Sequence, residues 1–291
     1  MKDNISTIVE NGTDATIAAI PCYVPCGLEL NKIYNESNLD TMKRMPDNFV
    51  DLTVTSPPYD NLRDYKGYSF PFEEIAKELF RITKQGGVVV WVVGDATIEG
   101  SETGTSFKQA LYFKEIGFNL HDTMIYNRQG SFPMDEHYRY WQDFEYMFVL
   151  SKGKPNVYNP IKEPSVRKEG SKIHRRKLVE NVKGSSLVSR TAHGNKSLSN
   201  VWYIAAGNNL STNDEIAFKH PAIYPEELAE KHILSWSNEG DIVYDCFGGS
   251  GTTAKMAHKW RRQWILSEIS KEYVEIAEKR IAPYLAQTSL F

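Results

Sequence analysis

Residues 242–253 read Ile242-Val243-Tyr244-Asp245-Cys246-Phe247-Gly248-Gly249-Ser250-Gly251-Thr252-Thr253, and this stretch decides the fold. Ile242 to Tyr244 form a short apolar strand. The glycines that follow let the backbone turn through positive φ and come close to a ligand. Ala254 to Lys259 suit the next helix. Strand, glycine turn and helix in this order place a ligand at the carboxyl ends of the strands in a nucleotide-binding α/β sheet. No lysine follows the glycines where a phosphate loop needs one. The dinucleotide fingerprint also fits poorly, because Asp245 precedes the glycines and the pyrophosphate spacing is missing. The next strand, Trp264-Ile265-Leu266, ends at Ser267-Glu268. Glu268 can accept both hydroxyls of a ribose there, and Asp245 can accept from a ligand ammonium. Two acids suit an adenosine that carries a sulfonium and an ammonium, and they repel a triphosphate. The plain alternative is a turn that only joins strand to helix; the acid on the following strand argues against it.

Working outward, Val50 to Thr53 form a strand that runs into Thr55-Ser56-Pro57-Pro58-Tyr59. Consecutive prolines neither extend a central strand nor enter a helix interior, so the chain turns. The turn offers the Ser56 hydroxyl and the Pro57 carbonyl as acceptors, with no competing proline N–H. Such acceptors suit an exocyclic aromatic amine. Its lone pair is delocalised into the ring, and acceptors on its N–H groups favour a more tetrahedral, nucleophilic nitrogen. Tyr59 can stack on a base flipped out of a duplex. Positioning and electrostatics then carry a group transfer, with no metal and no catalytic cysteine. Taken alone, the same residues read as an ordinary surface turn.

The rest of the chain alternates short apolar strands with helices. Phe72 to Ile82 have helical spacing, with Ile75, Ala76, Leu79 and Phe80 on one face. Val88 to Val93 form a continuous apolar run that suits a strand covered on both faces. Ser106 to Ile116 read as a helix, His121 to Tyr126 and Glu145 to Leu150 as strands. Pro225 to Ser235 start with a proline and two acids, as helices do. Lys271 to Ile281 make a closing helix. This is an α/β chain with a mostly parallel sheet. Trp141 and Trp202 read as core residues, with a lining of the base pocket as the alternative.

Pro160 to Asn200 break the alternation and show no sustained strand or helix period. Ten bases (Lys162, Arg167, Lys168, Lys172, Arg175, Arg176, Lys177, Lys183, Arg190, Lys196) face three acids (Glu163, Glu169, Glu180), a local balance of +7. A structureless loop of this length in a compact domain is often functional. Lys172, Arg175, Arg176, Lys177 and Arg190 are the candidate DNA contacts; they can neutralise phosphates, and Arg175 or Arg176 can read guanine edges. The alternative is a solvated loop. His174 and His193 lack metal-ligand neighbours at a useful spacing.

The 291 residues carry a net charge of -3, which excludes a uniformly basic nucleic-acid binder and leaves room for a local basic face. Hydrophobic residues at 41% and charged residues at 24% describe a soluble globular chain. Cys22 and Cys26 have no second pair to complete a zinc site, and Cys246 stands apart. The odd cysteine count and the lack of a signal pattern point to the cytoplasm. No apolar run reaches the length of a membrane span.

Together, Thr55 to Tyr59 and Asp245 to Thr253 resemble the beta group of amino-methyltransferases from bacterial restriction-modification systems. The resemblance extends from Asn31 to about Leu285. Ile33-Tyr34-Asn35, Gly86 to Val90 and Glu145 to Lys152 are similar to sheet strands of these enzymes. His220-Pro221-Ala222-Ile223-Tyr224-Pro225 resembles the element that packs over the methionine part of their cofactor. Family members often have Gly-Asp after the Tyr-Asn pair, where this chain has Glu36-Ser37. The resemblance implies the S-adenosylmethionine-dependent methyltransferase fold, a mostly parallel doubly wound sheet, circularly permuted, with an inserted target-recognition region. It implies an arm over 1–30, a catalytic half over 31–154, a target-recognition region over 155–215 and a cofactor-binding half over 216–291. Ser56, Pro57, Pro58 and Tyr59 are the implied catalytic residues. His220, Pro221, Asp245, Phe247, Gly249, Gly251, Thr252 and Glu268 are the implied contacts to S-adenosyl-L-methionine.

Serine before the two prolines resembles the N4-cytosine enzymes, whereas the N6-adenine enzymes usually carry Asp or Asn there. The implied reaction is site-specific methylation of cytosine N4 in double-stranded DNA, with adenine N6 as the alternative. An RNA or protein methyltransferase of the same fold and a DNA-binding protein without catalysis are the other readings. A cognate restriction endonuclease and a second copy of the chain are implied partners, and the nucleoid is the implied location.

Overall fold

The computed structural model describes residues 27–58, 70–129, 140, 142–178, 185–207 and 210–286. Eight strands make the main sheet: β1 (Lys32–Tyr34), β2 (Val50–Thr55), β3 (Thr83–Val93), β4 (Asn119–Gln129), β5 (Phe144–Ser151), β6 (Val201–Ala205), β7 (Ile242–Asp245) and β8 (Gln263–Ser267). Among the described residues, six α-helices accompany it: α1 (Asn38–Arg44), α2 (Phe72–Ile82), α3 (Thr105–Glu115), α4 (Glu226–Trp236), α5 (Thr252–Lys259) and α6 (Lys271–Ala286). The strands lie in the order β1-β8-β7-β2-β3-β5-β4-β6. Pairings within β1-β8-β7-β2-β3 and between β4 and β6 are parallel. Only β5 runs against its neighbours. The expected mostly parallel α/β sheet is present.

The strand alternation sorts side chains into two apolar layers. On β3, Val88, Val90 and Val92 pack with Leu228, Ile233, Ala254 and Ile281 of α4, α5 and α6. Val89, Trp91 and Val93 pack with Met42, Ile75, Leu79 and Phe113 of α1, α2 and α3. The central strand is covered on both faces, as its continuous apolar run requires. On β6, Trp202 and Ile204 are buried while Tyr203 is 62% exposed, so Trp202 is a core residue. Trp141 lies outside the described residues.

The sequence reading of Pro160 to Asn200 as structureless is corrected. Lys162–Pro164 pairs with Asn195–Ser197, and Lys172–Leu178 with Ser185–Thr191, both antiparallel. Two-stranded ribbons are held by backbone bonds. They need no apolar face of their own, so these polar strands leave no hydrophobic period to read. Region 155–215 also supplies β6 to the main sheet.

Because β1, β8, β7, β2 and β3 are parallel, their carboxyl ends share one edge. Asn35, Glu268, Asp245, Ser56 and Gly94-Asp95 lie directly at those ends. Among the described residues, no helix is long and apolar enough to cross a membrane.

Candidate active site

Asp245 ends β7 with no solvent exposure. Its Oδ1 accepts from Thr55 Oγ1 at 2.7 Å and from the Phe247 N–H at 3.0 Å. Its Oδ2 accepts from Thr253 Oγ1 at 2.6 Å and from the Tyr224 hydroxyl at 3.5 Å. The Tyr224 and Thr253 hydroxyls also bond each other. Three donors within 3.0 Å engage both oxygens of the carboxylate, and the Tyr224 hydroxyl shares its one proton between Asp245 and Thr253. Burial raises its carboxyl to about 6, against the lowering effect of the Thr253, Thr55 and Phe247 bonds. The Thr55 bond fixes the residue before Ser56. The Ser56-Pro57-Pro58 turn is thereby tied to the start of the glycine turn.

Ser56 and Pro58 are half-buried and Pro57 is buried. Tyr59 lies outside the described residues. Cys246 donates its thiol to Thr55 Oγ1 at 3.6 Å, and burial pushes that thiol well up, so it is an inert member of the same strut.

The glycine turn depends on its glycines in two places. Gly251 has φ +79°, and a Cβ there would lie 3.0 Å from both Ala277 and Ile281 of α6. Gly249 has φ +49°, and a Cβ there would lie 3.2 Å from His220 Nε2. The His220 ring therefore sits over the turn, with its centre 4.2 Å from that of the Tyr273 ring and its Nδ1 accepting from the Ala222 N–H. Pro221 beside it is exposed.

Glu268 follows β8 and leans back on the turn. Its Oε2 accepts from the Gly249 N–H at 2.9 Å, and its Oε1 accepts from the Ser270 N–H at 2.8 Å. Burial raises its carboxyl, and those backbone donors oppose the rise. Each oxygen keeps a second lone pair, so the fixed carboxylate can still accept a pair of ribose hydroxyls. Phe247 turns toward the aromatic core, 5.7 Å from Phe70 and 6.3 Å from Trp91 between ring centres.

The structure thus gathers Ser56, Pro57, Pro58, His220, Asp245, Gly249, Gly251 and Glu268 around one edge of the sheet. Thr252 belongs to the turn, but its hydroxyl accepts from Arg280 at 2.9 Å. Lys172, Arg175, Arg176 and Lys177 stand on one strand of the longer ribbon and Arg190 on the other. Sequence reading missed Thr55, Tyr224 and Asn38, whose amide donates to the Cys246 carbonyl at 3.1 Å. Thr55 borders the proline motif, which was the available signal; Asn38 carried none. At the Glu36 position, where the family pattern departs, the carboxylate is bound by Thr41 and Arg44. Among the described residues, no group of three or more His, Cys, Asp or Glu side chains is placed to hold a metal ion.

Residues 50–279 match the family model described as DNA methylase. The chain is 57% identical over 240 residues to the orphan methyltransferase M.BamHII of Bacillus amyloliquefaciens, covering 81% of this chain and 90% of that protein. PvuII DNA methyltransferase, described as cytosine-N4-specific, shares the fold with a TM-score of 0.63 at 20% identity, covering 88% of this chain and 91% of that one. TTHA0409 of Thermus thermophilus, solved in complex with S-adenosyl-L-methionine, has a TM-score of 0.59 at 20% identity, covering 89% and 96% of the two chains. Fold, site and likeness define a DNA methyltransferase. The chain belongs to the N6/N4 DNA methylase family.

The raised Asp245 carboxyl has a consequence for stability. Between its unfolded value of 3.8 and about 6 the folded chain holds a proton that the unfolded chain has released. This group's contribution to stability therefore falls as pH rises through that window. Asp245→Asn removes the dependence. Relative to the wild type, its urea midpoint should improve between about pH 4 and about pH 7. A wild-type-minus-variant difference that stays constant across that range would contradict the assignment.

Proposed function

We propose that this methyltransferase moves a methyl group from S-adenosylmethionine to N4 of a cytosine flipped out of duplex DNA, within a specific sequence. The observation that carries the reading is the 2.7 Å Thr55–Asp245 bond, which brings the Ser56-Pro57-Pro58 turn beside the glycine turn. Bound at that glycine turn, the sulfonium supplies an electrophilic methyl group. Glu268 holds the ribose through its two backbone-fixed oxygens. His220 and Pro221 cover the methionine part, with Gly249 and Gly251 giving the close backbone approach and Phe247 and Thr252 shaping the turn. Asp245 serves as the strut beneath the ligand.

Ser56 Oγ and the Pro57 carbonyl accept the amino hydrogens of the target base. That draws the nitrogen toward a tetrahedral geometry and aims its lone pair at the methyl group. As the N–C bond forms and the S–C bond breaks to leave a thioether, one amino proton departs along the hydrogen bond to these acceptors and on to water. Tyr59 stacks on the flipped base. Cytosine is favoured by Ser56 itself and by the likeness to a cytosine-N4-specific enzyme. The order of the motifs, catalytic before cofactor, supports the permuted arrangement.

The ribbon of Lys172–Leu178 and Ser185–Thr191 is the DNA-reading element of the target-recognition region, and its Lys172 and Arg190 side chains are exposed. A two-stranded ribbon fits the major groove. Arg175, Arg176 and Lys177 share its basic strand. A second copy of the chain belongs to the same reading. A cognate nuclease has less support, since the 57%-identical relative is named an orphan.

Methylation of defined duplexes, followed by base-resolved identification of the product, tests the function. N4-methylcytosine at one sequence is expected; N6-methyladenine, or label only in RNA or protein, would reject it. Ser56→Ala should lower the transfer rate by about a hundredfold while S-adenosylmethionine still binds; unchanged turnover would remove Ser56 from the mechanism. Glu268→Ala should weaken S-adenosylmethionine binding roughly tenfold, and an unchanged dissociation constant would argue against the ribose role.

A further inference from the structure

Behind the glycine turn lies a charged cluster that the transfer reaction does not use. Arg280 of α6 has a side chain with no solvent exposure. Its Nε donates to Asp214 Oδ2 at 2.8 Å, and its Nη2 to Glu226 Oε1 at 2.5 Å and Thr212 Oγ1 at 3.2 Å. Its Nη1 donates to the Ser250 carbonyl at 3.0 Å, to Ser250 Oγ at 3.0 Å and to Thr252 Oγ1 at 2.9 Å. Lys255 Nζ bonds the same Asp214 and Glu226 oxygens at 2.7 Å each and lies 4.6 Å from the Tyr284 ring centre. Two cations and two carboxylates balance, so the cluster is neutral as a whole.

The two cations differ in what they join. Lys255 ties α5 to Asp214 and Glu226. Arg280 does this from α6, and it also grips the glycine turn by a backbone carbonyl and two hydroxyls. Asp214 and Glu226 bracket the segment that carries His220, the residue packed over Gly249. A single planar fork therefore fixes both walls of the proposed cofactor site: the Gly249–Gly251 turn below and the His220 segment above.

We propose that Arg280 is a positioning residue for S-adenosylmethionine, acting through the Ser250 carbonyl and the Asp214–Glu226 pair. This rests on the reading of the turn as the cofactor site. A buried ion pair by itself is weak evidence for stability. Here its geometry does something apolar packing cannot: it holds an acceptor oxygen of a ligand-binding turn at a set distance from a second loop. A lysine keeps the charge but not the planar fork. It cannot grip the turn and both carboxylates together.

Lys255 provides the internal control, because it bonds the same carboxylates from a different helix. Calorimetric titration of S-adenosylmethionine into the full-length wild type, Arg280→Lys and Lys255→Met separates the roles, with turnover on duplex DNA at saturating cofactor measured alongside. Arg280→Lys should raise the dissociation constant roughly tenfold while turnover at saturation stays within about twofold. Lys255→Met should lower the melting temperature yet leave the dissociation constant within about twofold. Glu226→Gln, which keeps Arg280 and removes one charged partner, should weaken binding in the same direction by roughly threefold, and it carries the test if Arg280→Lys does not fold. Unchanged affinity in Arg280→Lys, or an equal loss in Lys255→Met, would reduce the cluster to a purely structural role. A wild type that binds no S-adenosylmethionine would instead overturn the cofactor reading itself, and the inference with it.

Discussion

The buried Asp245 carboxylate joins two parts of the chain that lie far apart in sequence. A carboxylate without access to water persists only where its acceptors are filled, and here hydroxyls and a backbone N–H fill them. One of those hydroxyls belongs to Thr55, 190 residues away. Another belongs to Thr253 at the head of α5, and a third to Tyr224 in the segment after His220. Three walls of the site therefore meet on one side chain. Its position is set in turn by the parallel pairing of β7 with β2 and β8. Adjacent parallel strands end together, and each end opens into a turn that carries one part of the candidate site. Ser56 comes after β2, the glycines after β7 and Glu268 after β8.

The arrangement divides labour among acids that look alike in sequence. Asp245 is bonded to the hydroxyls and backbone that join the turns, while Glu268 takes a backbone N–H on each oxygen and keeps free lone pairs. Burial raises both carboxyls, and their different partners decide what each can do. Asp214 and Glu226 form a third kind: they meet Arg280 and Lys255 behind the turn. Charge around the glycine turn thus does two jobs in the fold, bracing the turn and joining its walls, and the proposed third is to receive the ribose.

Much of this was readable from the residues. The apolar spacing of Phe72 to Ile82 and the run Val88 to Val93 mark α2 and β3 because burial on one or both faces leaves a period in sequence. The two motifs were visible because glycine and proline shape the backbone in ways other residues do not. The ribbons between Pro160 and Asn200 escaped notice because backbone pairing needs no apolar code. β6 did carry a code, buried Trp202 and Ile204 flanking exposed Tyr203, but it was short and adjoined a basic stretch. α1 has seven residues and only two buried ones, too few for a period. The roles of Asp245 and Arg280 were out of reach for another reason. Both depend on partners tens to hundreds of residues away, and an arginine in a charge-rich helix reads as a solvated one. In the structure it is fully buried.

The central claim is that the Thr55–Asp245 contact couples the catalytic turn to the cofactor turn. A double-mutant cycle of Thr55→Val and Asp245→Asn, read in the single-turnover rate of methyl transfer to duplex DNA, tests it most directly. If the contact does the coupling, the two losses will not add, and the double variant will be little slower than the slower single one. Losses that add in free energy would show that the two turns are positioned independently and would contradict the account.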